Sequence, residues 1–403
     1  MPLTDQQIQT LGRDALQRAA AGDFVSAEQT FARIVEARPN AGQALHLLGQ
    51  LRLKLGRFAE AREPLERAAQ FLPRDVAAQT NLAGCLIQLG QNEQALVALA
   101  RAARLKPDDA TIAHNTGRAL EALGRLDEAE RAHDLALSID HRLLSSLSAR
   151  AGLLAARGEW AGALSDLETA LVSHPADSHL RLRRGELLLG QGDWWRGLGD
   201  YEARLEIAGE RYTPELPRWQ GEPLDGRLLL YPEQADIESD AALRDTLMLA
   251  RGVEATVQCA ASLADWFEGP TARRGDPLDG FAAAAPLRSL PHLLNWSLDS
   301  LPAPAKLRAT PEPSSKVGWF SEAEPPADLE VTRAPEDIAT CRLVVGDDRW
   351  PSHAAAALGI ATVILLPHTA DWLWGPTLGI SPWYASLELL RDDDREGLAA
   401  RLS

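Results

Sequence analysis

Two patterns of apolar and polar positions divide this chain of 403 residues. Up to about residue 210, small residues and prolines recur at a fixed step, which is typical of paired amphipathic helices. Beyond that point, short continuous apolar runs alternate with helical stretches, as in buried parallel strands joined by helices. The sequence therefore predicts a helical repeat region followed by an α/β region.

The step in the first region is 34 residues, and three residue types keep it. The glycine suits a left-handed turn at a helix end, the alanine lets two helices approach closely, and the proline breaks the chain before the next unit. A unit of this length is a helix–turn–helix that buries its apolar face only by stacking on its neighbours. The positions are Gly22, Gly56, Gly90, Gly124, Gly158 and Gly192; Ala27, Ala61, Ala95, Ala129 and Ala163; and Pro39, Pro73, Pro107 and Pro175, with His141 where a further proline would lie.

This triple periodicity is similar to that of tetratricopeptide repeats (TPR), and it predicts an α-solenoid of five repeats and a degenerate sixth. Unrelated amphipathic helices are the alternative, but they would not place glycine, alanine and proline at the same 34-residue period. The sixth unit has Gly197 in place of the alanine and lacks the closing proline. We therefore expect it to dock onto a second domain, with 1–210 as the TPR superhelix and 211–403 as the α/β domain.

The second region is predicted to hold five strands and four helices. A proline-rich stretch at 302–315 separates two halves, about 211–305 and 316–403, each expected to contain a small sheet. The predicted strands are 227–232, 255–259, 316–320, 341–346 and 361–367, and the predicted helices are 240–252, 261–269, 350–359 and 395–403.

Six segments, in a consistent order, resemble bacterial proteins that fuse TPR repeats to a glycosyltransferase-like domain. That family is similar to heptosyltransferases and, more distantly, to O-GlcNAc transferases. The resemblance implies a GT-B-like fold, in which two Rossmann-like halves face a cleft that holds a nucleotide-sugar donor. The segments are WWRGLGDYEARLE, PRWQGEPLDGRLLLYPEQ, DTLMLARG, PLRSLPHLLN with LPAPAKL, DDRWPSHAAAALG, and ILLPHTADWLWG with SPWYASLELLR.

The sequence departs from that family in the loops that would meet the donor. The family's glycine-rich turn after the first strand is replaced by ADIESDAALR, and the loop after the second half's first strand reads FSEAEPP. Glycine turns let backbone N–H groups approach a charged ligand, whereas carboxylates such as Asp236, Glu238 and Glu322 repel a diphosphate. We therefore expect a reduced, divergent GT-B domain with weak nucleotide-sugar binding, and we expect no resident cofactor.

Glu233 and Asp348 are the candidate catalytic residues. Glu233 ends the first predicted strand, where a carboxylate faces the cleft of an open sheet and can act as a general base, or can simply hold the following loop. Asp348 and His353 match the family's DTAxAH segment at a helix start, so the resemblance implies contact with a sugar hydroxyl or phosphate. In the alternative, Asp348 is a helix N-cap and His353 a helix-surface residue.

Three further residues are candidates for the donor cleft. Arg349 lies beside Asp348 and offers a cation for phosphate. Asp371 and Trp372 match the family's DW motif, in which the indole either stacks on a sugar or packs in the core. The sequence contains no glycine-rich phosphate loop or metal-binding motif, and no metal is expected.

The repeat region has candidate partner-binding residues of its own. Asn81 and Asn115 are 34 residues apart and fall at the sixth position of successive inner helices. A carboxamide there can donate to and accept from an extended peptide backbone, and the resemblance to O-GlcNAc transferases includes such an asparagine ladder. His46 and Arg150 neighbour the equivalent positions in adjacent repeats. Asparagine can also occupy this position without a binding role.

Composition limits the function further. The net charge is −16, which argues against nucleic-acid and anionic-membrane partners. The three cysteines are far apart, and no signal segment or long apolar run occurs, so a cytoplasmic location is expected. The leading interpretation is a protein-binding adaptor with a degenerate glycosyltransferase-like domain. An active protein glycosyltransferase and a platform that self-associates through its repeats are the alternatives.

Overall fold

The fold is given by a computed structural model, which describes residues 4–207, 209, 211–312, 314–326, 329–367, 372–374 and 379–402. The chain divides into two compact units, Met1–Pro175 and Ala176–Ser403. The unit boundary precedes the sixth repeat, whereas the boundary predicted near residue 210 follows it. The repeat pattern marks the end of the helix pairs, while the packing assigns the last pair to the second unit.

The first unit consists of helix pairs, as the 34-residue period predicts. Each helix pair is one repeat, and the repeats stack in chain order. The helices are α1 Asp5–Ala20, α2 Phe24–Ala37, α3 Gly42–Lys54, α4 Phe58–Phe71, α5 Val76–Gln88, α6 Asn92–Leu105, α7 Ala110–Ala122, α8 Leu126–Ile139, α9 Leu144–Ala156 and α10 Trp160–Ser173.

The periodic glycines and alanines do what the sequence predicts. Gly56 has φ +72°, and the chain turns there with Gly56 N–H bonded to Leu53 C=O and Arg57 N–H bonded to Arg52 C=O, a Schellman cap. Ala61 is fully buried between helices. A side chain on Gly49 would meet Leu65, because its Cβ would lie 2.4 Å from Leu65 Cγ. Small residues thus set the close spacing of α3 and α4.

The odd-numbered helices form a continuous surface. Helix α5 contacts both α3 and α7, and α7 contacts α9, so that one odd-numbered helix follows the next. We call the surface of α3, α5, α7 and α9 the inner face, and that of the even-numbered helices the outer face.

The second unit begins with the sixth helix pair and continues as an α/β region. Its helices are α11 Ser178–Gly190, α12 Trp194–Tyr201, α13 Asp240–Leu249, α14 Ala261–Ala264, α15 Leu290–Leu293, α16 Trp350–Ala357 and α17 Arg395–Leu402. Its strands are β1 Arg227–Tyr231, β2 Thr256–Gln258, β3 Thr271–Ala272, β4 Phe281–Pro286, β5 Val317–Phe320, β6 Val331–Thr332, β7 Leu343–Gly346, β8 Ala361–Leu366, β9 Gly379–Ile380 and β10 Leu387–Arg391.

These strands form two sheets, one in each predicted half. The first has the order β3-β2-β1-β4 and is parallel throughout. The second has the order β6-β5-β7-β8-β10-β9 and is parallel except for β9. In each sheet the next strands in sequence are added on one side of the first strand, and the chain then crosses to the other side. A topological switch point therefore lies between β1 and β4 in the first sheet and between β5 and β7 in the second. Ligands of open α/β sheets bind at such points.

All five predicted strands are present, but β3, β4, β6, β9 and β10 were not predicted. The β4 sequence, FAAAAP, is rich in alanine, a residue that is depleted in strands. The helix predicted at 261–269 is only one turn long in the structure, as α14.

The core of the second unit joins the sixth repeat to both sheets. Trp194 and Leu198 of α12 belong to one buried cluster with Leu230 of β1 and with Trp372 and Trp383 of the second half. The expected docking of the sixth repeat onto the α/β region is therefore confirmed. Within the described residues, no helix is long and apolar enough to cross a bilayer.

Candidate functional site

The inner face brings two of the predicted partner-binding residues together. Asn81 on α5 and His46 on α3 are 35 residues apart in sequence, and Asn81 Nδ2 lies 2.8 Å from His46 Nε2. Burial lowers the pKa of His46, so the imidazole is neutral at pH 7 and accepts this hydrogen bond. Asn81 is half-buried, and no described residue donates a hydrogen bond to its carbonyl oxygen.

Asn115 lies one repeat further along the inner face. It is half-buried and makes no side-chain hydrogen bond to any residue that the structure describes. Its neighbour His114 has Nδ1 3.1 Å from Ser146 Oγ. Burial, together with nearby His133 and Arg118, lowers the pKa of His114 to about 4. This part of the face thus offers an unused carboxamide next to a neutral histidine.

Arg150 on α9 is already paired. Its guanidinium donates two hydrogen bonds to Asp166, at 2.8 and 2.6 Å, and one to Asp134 at 2.6 Å. Asp166 is buried, so these bonds tie α9 to α10 and α8. Partner binding by Arg150 stays a prediction, and any partner would have to share the guanidinium with two carboxylates.

In the second unit, Glu233 follows β1 at the switch point of the first sheet. Its Oε2 accepts a hydrogen bond from Arg204 Nε at 3.1 Å, and both side chains are about nine-tenths buried or more. Arg204 also donates to Glu202 at 2.5 Å and to Ser289, which follows β4, at 2.8 Å. Burial alone would lower the pKa of Arg204, but the carboxylates of Glu233 and Glu202 raise it. The guanidinium of Arg204 therefore lies at this switch point, between the ends of β1 and β4.

Asp348 follows β7 and takes part in a second ion-pair network. It accepts hydrogen bonds from Arg244 Nη1 at 2.7 Å, from Trp374 Nε1 at 3.1 Å and from His353 Nε2 at 3.0 Å. Burial opposes ionisation, but His353 and Arg244 hold the pKa of Asp348 well below its usual range. Helix α16 begins two residues later with Arg349 at its N-cap, so the N-cap alternative for Asp348 is wrong.

His353 is fully buried, so its alternative as a helix-surface residue is also wrong. Its ring stacks on Trp374 at 5.4 Å. Burial lowers its pKa, and the neutral ring donates from Nε2 to Asp348.

The same network continues through Asp245 on α13, which is 1% exposed. Its carboxylate accepts hydrogen bonds from Arg288 at 2.7 Å, from Arg244 at 3.1 Å and from Gln234 at 2.7 Å. Burial favours the protonated acid, yet Arg288 and Arg244 lower the pKa of Asp245. The network thus joins the two halves through buried charge pairs.

A crevice of 750 Å³ lies over the carboxyl ends of the second sheet, at its switch point. Carboxylates dominate its lining: Glu322, Asp347, Asp348, Asp392 and Asp393. The one arginine in the described lining, Arg349, contacts Glu322 and lies 3.7 Å from Asp240, so its charge is already balanced. The geometry suits a ligand site, but the charge opposes a phosphate.

The remaining donor-cleft candidates lie elsewhere. Trp372 is 7% exposed, and its ring contacts those of Tyr201, at 5.1 Å, and Trp194, at 5.7 Å, so it packs in the core. Asp371 lies outside the described residues. In the part of the chain that the structure describes, no three metal-ligating side chains are grouped around a common point.

Arg204 is the functional-site residue that sequence reasoning missed. It lies within the segment WWRGLGDYEARLE, but an arginine after a helix carries no signal of a carboxylate partner 29 residues away.

Comparison with known proteins agrees with the repeat assignment. Sequence models of the tetratricopeptide repeat match residues 18–69, 53–116 and 149–211. The N-terminal part of the chain is therefore built of tetratricopeptide repeats, and the C-terminal part contains α/β parallel sheets.

Three solved structures illustrate the similarity to individual proteins. A thermophilic TPR protein of Thermus thermophilus is 28% identical, with 45% of this chain and 99% of that chain covered and a TM-score of 0.38. A tetratricopeptide repeat protein of Parabacteroides merdae is 21% identical, covering 50% and 80%, with a TM-score of 0.43. PilF of Pseudomonas aeruginosa is 18% identical, covering 50% and 92%, with a TM-score of 0.44. No curated protein matches the chain.

Proposed function

We propose that this protein is an adaptor that binds an extended segment of a partner protein on its inner face. The observation that carries the proposal is the pair Asn81 and Asn115, at the same position of successive inner helices. One has a free carbonyl oxygen, and the other has no side-chain hydrogen bond within the described residues. Half-buried polar groups of this kind bind a peptide backbone, which presents alternating donors and acceptors.

The charge of the helices supports a partner segment that is acidic or neutral. The inner helices α3, α5, α7 and α9 carry four arginines and lysines and one glutamate. The outer helices α4, α6, α8 and α10 carry an excess of five carboxylates over arginines. Complementary charge at an interface steers encounter and selects partners. Arg52 and Arg150 are already paired with carboxylates of neighbouring helices, so within the described residues Lys54 and Arg118 are the inner-helix cations that would favour an acidic segment.

Arg118 is the cation best placed to select such a segment. It lies on α7 three residues after Asn115, is half-buried, and forms no ion pair with the described residues. The glutamate of the inner helices, Glu121, is 2.7 Å from His133 Nε2 and is thus bound within the repeat.

We infer that the C-terminal unit is a reduced GT-B-like domain without glycosyltransfer activity. Three features support this. Arg204 occupies the position facing Glu233, Asp348 is held by three donors, and carboxylates line the crevice over the second sheet. A general base needs access to the substrate proton, and a diphosphate needs cations.

The inner-face proposal is tested with peptides selected on the full-length protein from a random 12-residue display library. A selected, fluorescein-labelled peptide is then titrated against Asn81→Ala/Asn115→Ala and read by fluorescence polarisation. Loss of paired polar groups costs about 1–3 kcal/mol, so the affinity is expected to fall roughly 5- to 150-fold.

The matched control is Gln70→Ala/Gln94→Ala, which removes two exposed carboxamides from the outer helices α4 and α6. It is expected to leave the affinity unchanged. Equal affinities for both double variants would refute the inner face as the site, and a preference of the library for basic peptides would refute the charge argument alone.

A further inference from the structure

Arg251, two residues beyond the end of α13, is a buried arginine that no carboxylate balances within the described residues. It is 4% exposed and forms no ion pair in that part of the chain. The buried Arg204 and Arg244, by contrast, each contact two carboxylates. A buried charge without an opposite charge is costly, because it has lost its hydration. Arg251 is therefore expected to have a negative partner from outside the chain.

The hydrogen bonds of Arg251 satisfy only part of its guanidinium. Nη1 donates to the carbonyl oxygens of Pro302 and Trp383, both at 3.2 Å. Nε and Nη2 are buried and have no hydrogen-bond partner among the described residues. These two nitrogens lie on one edge of the planar guanidinium, and their N–H groups can bind an anion side by side. Arg401 holds the two oxygens of Glu388 with the same edge, at 2.7 and 2.6 Å.

Tyr384 adds another donor beside this guanidinium. Its ring centre is 5.2 Å from the guanidinium carbon of Arg251, and its buried hydroxyl has no hydrogen-bond partner in the described part of the chain. Burial raises the pKa of Tyr384 to about 12, so the hydroxyl keeps its proton at pH 7 and can donate to an anion. Burial lowers the pKa of Arg251, and Tyr384 opposes this only in part. An anion next to both groups would favour the charged form of Arg251.

The surrounding aromatic cluster has more unpaired donors than unpaired acceptors. The indole N–H groups of Trp194 and Trp372, in the same buried cluster as Tyr384, also have no hydrogen-bond partner within the described residues. The unpaired acceptor nearby is Nδ1 of His353, whose ring is 5.9 Å from that of Tyr384. A water molecule could pair with these donors but would leave the charge of Arg251 uncompensated. An anion would satisfy the donors and balance the charge.

We propose that Arg251 and Tyr384 bind a small monoanion, a halide or a short carboxylate, where the two halves of the second unit meet. Arg251 belongs to the first half and Tyr384 to the second, so the bound anion would stabilise their junction. Arg251, Trp383 and Tyr384 are all buried, which suits a small ion better than a nucleotide. The proposal goes beyond partner binding on the inner face, which lies in the first unit.

The test is the urea unfolding of the full-length protein at chloride concentrations from about 1 to 200 mM, with sodium gluconate holding the ionic strength constant. Tryptophan fluorescence reports the second unit, which contains every tryptophan except Trp160. If unfolding releases one anion, the unfolding equilibrium constant falls about tenfold for each tenfold rise in chloride above the dissociation constant. We expect this dependence for the wild type. Sodium formate is the second probe, for a short carboxylate.

Two variants assign the effect to this site. Arg251→Met keeps an apolar side chain of similar length and should abolish the anion dependence. Tyr384→Phe keeps the ring and should weaken anion binding about 10-fold or more, the effect of losing a hydrogen bond to a charged group. The matched control is Arg218→Met, which removes an arginine that pairs with Glu202 and is 41% exposed. It should keep the wild-type dependence.

Each result decides for or against the site. A wild type whose stability depends on neither chloride nor formate would overturn the proposal and leave water as the partner of these donors. An Arg251→Met variant with the wild-type dependence would overturn it as well. Should this variant fail to fold, Tyr384→Phe decides, because an unchanged anion affinity would contradict the site. A sulfate effect that depends on Arg251 and exceeds that of chloride would refute the assignment to a small monoanion.

Discussion

Replacing Arg204 by methionine is the most direct test of the polar network at the first sheet's switch point. Methionine preserves most of the side chain's length but removes the charge. Glu202 keeps a partner, because it also pairs with Arg218, whereas Glu233 loses its cation while remaining buried. Removing one member of a buried ion pair costs about 3–5 kcal/mol, mainly because the remaining charge is desolvated without compensation.

The expected shift follows from the size of the unit. With a urea dependence of about 2–3 kcal/mol per molar, the unfolding midpoint should fall by about 1–2 M. Tryptophan fluorescence is a selective probe, because all eleven tryptophans lie at or after Trp160 and only that one precedes the second unit. Far-UV circular dichroism follows the helices of both units in the same titration.

A double-mutant cycle separates the ion pair from general damage. Glu233→Gln is expected to cost about 1.5–3 kcal/mol, and combining it with Arg204→Met should cost clearly less than the sum, since no unpaired carboxylate remains. Arg218→Met is the control, because its side chain is 41% exposed and such pairs are worth about 1 kcal/mol or less. Additive effects, or a midpoint change for Arg204→Met no larger than for Arg218→Met, would refute the reasoning.

Four further predictions follow from the same contacts. The folded state lowers the pKa of Asp245, so this carboxylate stabilises the fold above the ordinary aspartate pKa of about 3.9, and the stabilisation is lost as pH falls through the folded pKa. Asp245→Asn should therefore make the free energy of unfolding depend less on pH in the acid range. An unchanged pH dependence would contradict this. Gly56→Ala should destabilise the repeats by about 1–2 kcal/mol, because Gly56 has φ +72°. Gly84→Ala should stabilise them by about 0.5–1 kcal/mol, because Gly84 lies within α5 and no described neighbour outside that helix comes within 4 Å of the added Cβ. Shifts of the same sign in the two thermal melting temperatures would contradict the cap assignment. The fragment 1–175 should fold with a helical circular-dichroism spectrum, and a random-coil spectrum would refute the solenoid. It should also be more soluble than a fragment that ends after the sixth repeat, because the apolar face of that repeat would then be exposed to water. UDP-glucose should bind with a Kd of about 1 mM or weaker, near −4 kcal/mol, and micromolar binding by calorimetry would restore the enzyme interpretation.

The repeat region could be predicted in detail because its signals are local. A left-handed turn requires glycine, and a close helix contact requires a small residue, so Gly56 and Ala61 mark their structural roles directly. The continuous apolar runs of β1 and β8 are a local signal of the same kind, because both strands are buried over almost their whole length.

The missed elements lack such local signals. In β4, three consecutive alanines, Ala283, Ala284 and Ala285, are buried, and their burial depends on the neighbouring strand and the elements packed on the sheet rather than on any local strand signal. The boundary of the second unit is a similar case, because the sixth repeat keeps its helical pattern while its apolar partners lie in the α/β region.

The candidate site was predicted in position but not in chemistry. The sequence placed Glu233 and Asp348 at the ends of strands, and both lie there. It did not indicate that Arg204 and Arg244, distant in sequence, occupy their carboxylates. Ion pairs between distant residues have no spacing rule, so they emerge only when the fold brings the elements together.

The stacking of the repeats has a consequence for how the chain can change during evolution. In the first unit each helix pair packs against the next pair, and the same glycine turn joins the two helices within each pair. A duplication or deletion of 34 residues among these pairs would reproduce the existing junctions and lengthen or shorten the inner face by one step. The sixth pair cannot be copied in this way, because Trp194 and Leu198 are matched to the sheets that follow. Lineages can therefore vary the reach of the binding surface while the last pair stays fixed.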